Sequence, residues 1–93
     1  MSYQRKIIAN RINYLCKIQG ISYYKLSYNS TVPLTTLLHI VDGSTKNPGI
    51  FTLIKICDGL NITIKDFFDT EEFMSIQYED DDIWKQFILK DLY

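Results

Sequence analysis

Two cysteines, two prolines, four glycines and one histidine in 93 residues exclude several kinds of protein. Cys16 and Cys57 stand far apart, without the spacing of metal ligands, inside apolar patterns where a reduced thiol packs as a small hydrophobe. His39 has no Ser, Cys or carboxylate at a diagnostic spacing, which argues against nucleophilic catalysis. No glycine-rich loop is present to cradle phosphates. The chain reads as a non-enzyme with no cofactor, no metal and no evident small-molecule ligand. No apolar run approaches the roughly 20 residues of a membrane span, and Met1 to Asn10 lacks the small-residue cleavage signal of an export peptide. A cytoplasmic protein with no membrane partner is expected.

What is present suits one packed domain with a tail: 46% of residues are hydrophobic and 23% charged, which argues against disorder. The net charge of −1 conceals an asymmetry along the chain. Residues 1–69 carry eight Lys or Arg against four Asp, a surplus of four positive charges. Residues 70–93 carry two Lys against seven Asp or Glu, a surplus of five negative ones. A basic body precedes an acidic tail.

Alternation of apolar and polar residues never persists, so the expected fold is all-α. Ile8, Ile12 and Leu15 share one helical face, predicting helix 1 from about Tyr3 to Ile18, stopped by Gly20. Ser22 is placed to cap helix 2, which runs to about Asn29. Pro33 suits the first turn of helix 3, which ends before Asp42-Gly43. After the loop at 43–49, Ile50, Leu53, Ile54, Cys57 and Leu60 mark helix 4, and Thr63 caps a short helix 5 whose Ile64, Phe67 and Phe68 turn inward. Glu71 to Glu79 reads equally as a further helical turn or a linker. Asp80-Asp81-Asp82 then precedes an apolar stripe of Trp84, Phe87, Ile88 and Leu92, predicting an amphipathic helix from about Asp81 to Asp91.

Between Gly20 and Gly43, Ser27 and Ser30 supply the small residues that two crossing helices need. Leu26, Val32, Leu37 and Ile40 supply apolar anchors. The other face of helix 3, built from Leu34, Thr35, Leu38, His39 and Asp42, is left free to enter a DNA major groove about 12 Å wide. With Asn10-Arg11-Ile12, Gly20-Ile21-Ser22, Leu26-Ser27, Val32-Pro33, Thr36-Leu37, Asn47-Pro48 and Leu60-Asn61-Ile62-Thr63, the ordered set resembles the Cro/C1-type (XRE) helix-turn-helix regulators. That family includes phage repressors and many small bacterial transcription factors. The resemblance spans about Ile7 to Asp69 and implies a five-helix, lambda-repressor-like domain over residues 1–69. Residues 70–93 would then form an acidic linker and a C-terminal helix.

The resemblance further implies double-stranded DNA as partner, base contacts from Leu34, Thr35, Leu38 and His39, and phosphate contacts from Tyr23, Lys46 and Asn47, with Thr36, Ser44, Lys25 and Arg11 behind them. Relatives usually place Gln where this chain has Tyr23 and commonly Gly where it has Thr31. A buried Arg–Glu pair of many relatives corresponds to Cys16 and Val41, a double exchange to apolar residues that strands no charge. The reading face carries no Arg, Gln or Asn, so bidentate recognition is absent from it and a weak, A/T-leaning readout is expected. The Leu34/Leu38 pair fits thymine methyl groups. It also fits a protein contact, as in an antitoxin-like or anti-repressor module on the same fold. The stripe of Trp84, Phe87, Ile88 and Leu92 either covers the domain's own core or meets its twin, and the two-fold half-sites of this class favour a homodimer.

Overall fold

The computed structural model describes residues 6–45 and 47–76. Those residues are all-α, with helices α1 (Ile7–Gln19), α2 (Tyr23–Ser30), α3 (Leu34–Val41), α4 (Ile50–Gly59), α5 (Ile64–Phe68) and α6 (Glu71–Met74). Tyr3, Lys46 and the C-terminal stripe of Trp84, Phe87, Ile88 and Leu92 lie outside them. No helix among the described residues is long and apolar enough to cross a membrane.

The helix ends follow local chemistry. Gly20 takes a left-handed φ of 65°, its N–H donates to Lys17 O at 3.2 Å, and Ile21 N–H reaches back to Cys16 O at 3.0 Å. These paired bonds satisfy carbonyls that the end of α1 would otherwise leave free. Ser22 Oγ accepts Lys25 N–H at 3.0 Å, and Thr63 Oγ1 accepts Asp66 N–H at the same distance, so both expected caps are in place. Pro33 stands just ahead of α3 as its cap. Thr70 caps α6, the short helix within the segment that read as either helix or linker.

Ile12, Leu26, Leu37, Ile56, Leu60 and Phe67 form the most buried part of one core drawn from all of α1 to α5 and the connection after α4. Cys16 and Cys57 are free thiols in that core, and burial pushes both thiols above their ordinary pKa. Phe67 is fully buried, with Phe68 edge-on at 5.0 Å and Phe73 beyond it. The apolar stripe used to place α4 needs one correction: Ile50 and Ile54 are 54% and 44% exposed, whereas Ile56 is fully buried. Two overlapping stripes run along this helix, and α2 and α5 pack on the one containing Leu53, Ile56 and Cys57.

The crossing of α2 and α4 is close. A β-carbon added to Gly59 would stand 2.8 Å from Ser30 Cβ and 2.9 Å from Ser30 N. Gly59 and Ser30 are therefore the small pair that lets these helices approach. Arg11 and Gln19 fasten α1 to the far end of the domain: Arg11 donates to the carbonyls of Phe67 (2.8 Å) and Asp66 (2.9 Å), and Gln19 to that of Leu60 (2.8 Å).

Candidate nucleic-acid interface

Helix α3 is one-sided. Leu37, Ile40 and Val41 are buried against the core, while Thr35, Thr36, Leu38 and His39 are exposed and Leu34 is half-buried. Positions 34, 35, 38 and 39 follow helical spacing, so the four residues expected to meet bases share one outward strip.

The corner ahead of α3 is stitched by side chains. Ser27 Oγ donates to Val32 O at 2.6 Å, and Ser30 Oγ donates to Leu26 O at 2.6 Å while accepting Val32 N–H at 3.4 Å. Val32 is buried beneath it. Thr31 turns the chain with φ 57°, a left-handed conformation that a β-branched residue adopts only at a cost.

The rear of α3 is held by a relay that the sequence reading missed. Asn13 Nδ2 donates to Val41 O at 3.1 Å, and Tyr23 Oη donates to Asn13 Oδ1 at 2.5 Å. Helices α1, α2 and α3 are thereby joined through one amide. The available signal in sequence is only a polar residue flanking the apolar stripe of helix 1. Because Tyr23 has a single hydroxyl proton, giving it to Asn13 leaves none for a phosphate.

At the exit from α3, Ser44 gathers the chain. Its N–H donates to Asp42 Oδ1 at 2.8 Å, its Oγ lies 3.1 Å from His39 O, and His39 Nδ1 lies 3.2 Å from the same Oγ. The Ser44 hydroxyl and amide, with His39 nearby, hold the Asp42 carboxyl below its usual pKa. Asn47 is exposed beyond this loop, and Lys25 is exposed on α2 with Nζ 5.4 Å from the Tyr28 ring centroid. Arg11 gives two of its guanidinium's five N–H groups to the carbonyls ending α5, partners that the sequence pattern did not announce. Lys46 lies outside the described residues.

A family model of the Cro/C1-type HTH DNA-binding domain matches residues 11–72, two-thirds of the chain. The chain belongs to that family. The match covers α2 to α5, most of α1 and the start of α6, and it makes this Cro/C1-type unit a DNA-binding domain of the kind found in regulators. No curated protein and no solved structure matches the chain closely enough to add to this. Catalysis is not typical of the Cro/C1-type domain.

Proposed function

We propose that this protein is a small transcriptional regulator that binds double-stranded DNA in a sequence-dependent way, as a cytoplasmic homodimer. The observation that carries the reading is the two-sided character of α3, buried along Leu37, Ile40 and Val41 and open along Leu34, Thr35, Leu38 and His39, within a Cro/C1-type domain. Helix α3 enters the major groove. Thr35 bonds a base edge, Leu34 and Leu38 meet thymine methyl groups, and His39 meets a polar base edge.

Phosphates meet the start of α2 and the loop after α3. An open groove of about 510 Å³ between the end of α1 and the start of α2 borders Lys17, Ser22 and Tyr23. Early amides of α2 serve a phosphate there, and Tyr23 contributes its backbone N–H while its hydroxyl braces Asn13. Lys25, Thr36, Lys46 and Asn47 complete the set, while the Ser44 hydroxyl proton and amide go to His39 O and Asp42 and leave no donor for a phosphate. With two lysines in it, the fall of log affinity with log salt is shallow, on the order of −2 per protomer. The apolar stripe of Trp84, Phe87, Ile88 and Leu92, after the acidic linker, joins two copies.

Binding selection from a randomised duplex pool tests this, run at low and physiological salt with the Thr35→Ala/His39→Ala double variant in parallel. Enrichment of two related half-sites about one helical turn apart, lost in the variant, supports the dimeric reader. Enrichment that the variant leaves unchanged, or none at all, counts against it and in favour of a protein partner on Leu34 and Leu38.

A further inference from the structure

Ser44 has one hydroxyl proton and several neighbours that want it. Its Oγ lies 3.1 Å from the His39 carbonyl oxygen and 3.2 Å from His39 Nδ1, and its backbone N–H already holds the Asp42 carboxylate. Two oxygen acceptors therefore compete for the proton: a carbonyl at the negative end of α3, and a carboxylate held low partly by this hydroxyl. A carbonyl has two lone pairs, and Thr45 N–H, at 3.0 Å, takes only one of those on His39 O. With the proton directed to oxygen, the Ser44 lone pair faces the imidazole. Nδ1 must then carry a hydrogen to make the 3.2 Å contact.

From this arrangement we infer that Ser44 fixes neutral His39 as its Nδ1–H tautomer, so that Nε2 is presented as a hydrogen-bond acceptor. This makes His39 the residue that selects an amino base, A or C, over a keto base, G or T, on the strand it meets. The inference rests on the DNA-reading proposal above. The groove chemistry behind it is simple: only adenine N6 and cytosine N4 donate in the major groove, whereas guanine O6 and N7, thymine O4 and adenine N7 accept. Every base pair carries one amino group there, so the preference reports which strand holds it. A histidine in its more usual Nε2–H form would instead donate to G, T or the N7 of A, and would reject only C. Ser44 acts here as a positioning residue, through the ring and without touching the base.

Two measurements on the full chain test this. The first is imidazole ¹⁵N NMR on the free protein, at a pH where the ring is neutral. Wild type and Ser44→Thr should show a protonated Nδ1 and a bare Nε2, and Ser44→Ala should revert to Nε2–H. A wild-type ring protonated at Nε2, or an unchanged ring in Ser44→Ala, overturns the inference. The second is duplex selection. One position in each half-site should favour A or C over G or T on the order of fivefold, the worth of one hydrogen bond. That preference should survive Ser44→Thr and vanish in Ser44→Ala and His39→Ala. Duplex binding with no amino preference overturns this inference alone. Failure to bind any duplex, with the Nδ1–H ring in place, overturns the DNA-reading proposal and the base selection with it.

Discussion

Helices α1 and α2 leave their last turns the same way, through a residue with left-handed φ, yet one exit is Gly20 at 65° and the other is Thr31 at 57°. Space around Gly20 is open, so glycine there serves the backbone angle alone. At Thr31 the same angle is imposed on a β-branched residue, and its surroundings explain how. Ser27 and Ser30 bind the backbone on either side of the corner, buried Val32 anchors the chain as it leaves, and Gly59 presses Ser30 from across the helix crossing. The first exit is set by the backbone angle alone, and the second is over-determined by packing. The strained one leads directly into the reading helix.

The contrast can be broken at its support. Gly59→Ala drives a methyl group into the Ser30 backbone and should lower stability by about 2 kcal/mol, roughly 10 °C in Tm, despite the better helix propensity of alanine. A neutral result in thermal unfolding would mean that the corner yields and is not over-determined. Carrying the strain to the free exit, Gly20→Thr should cost about 1 to 2 kcal/mol in chemical denaturation. The reverse exchange, Thr31→Gly, should stabilise by about 0.5 kcal/mol, strain relief outweighing the added chain entropy of glycine.

The exit from α3 sharpens the comparison with an ionisable side chain. Asp42's carboxyl has a folded-state pKa below its unfolded value, so its carboxylate contributes stability at neutral pH. That contribution begins to fade as pH falls past the unfolded value of about 3.9 and is lost through the lower folded one. In acid titrations followed by circular dichroism, Asp42→Asn should flatten this part of the curve, by the smallest margin of the four because the side chain is fully exposed.

Helix positions were legible because they are written locally: apolar spacing marked α1, Pro33 and Asp42-Gly43 bounded α3, Ser22 and Thr63 announced their helices, and Gly20 announced an end. Phe67 was legible as core for the same reason. The apolar-rich run of α4 supports two overlapping stripes, and only its packing against α2 and α5 separates buried Ile56 from exposed Ile54. Arg11 read as a phosphate contact because a cation in a DNA-binding pattern suggests that use, and its carbonyl partners lie 55 and 56 residues away. Asn13 was silent for the same reason, since its partner Val41 is 28 residues distant. The outward strip of α3 could be read by subtraction, once the inner face was assigned to the core. The direction of each polar atom on it, as at His39, depends on neighbours such as Ser44 that no periodicity reveals.

Arg11's two bonds also bear on the order in which the domain is completed. A chain emerging from the ribosome at roughly 5 to 20 residues per second exposes α1 seconds before the carbonyls of Asp66 and Phe67 exist to receive it. Until then the guanidinium stays in water and the first helix lacks its distant latch. The pairing of the two ends of the domain is thus a late event in synthesis, a loop-closing step that comes after the local helices it joins.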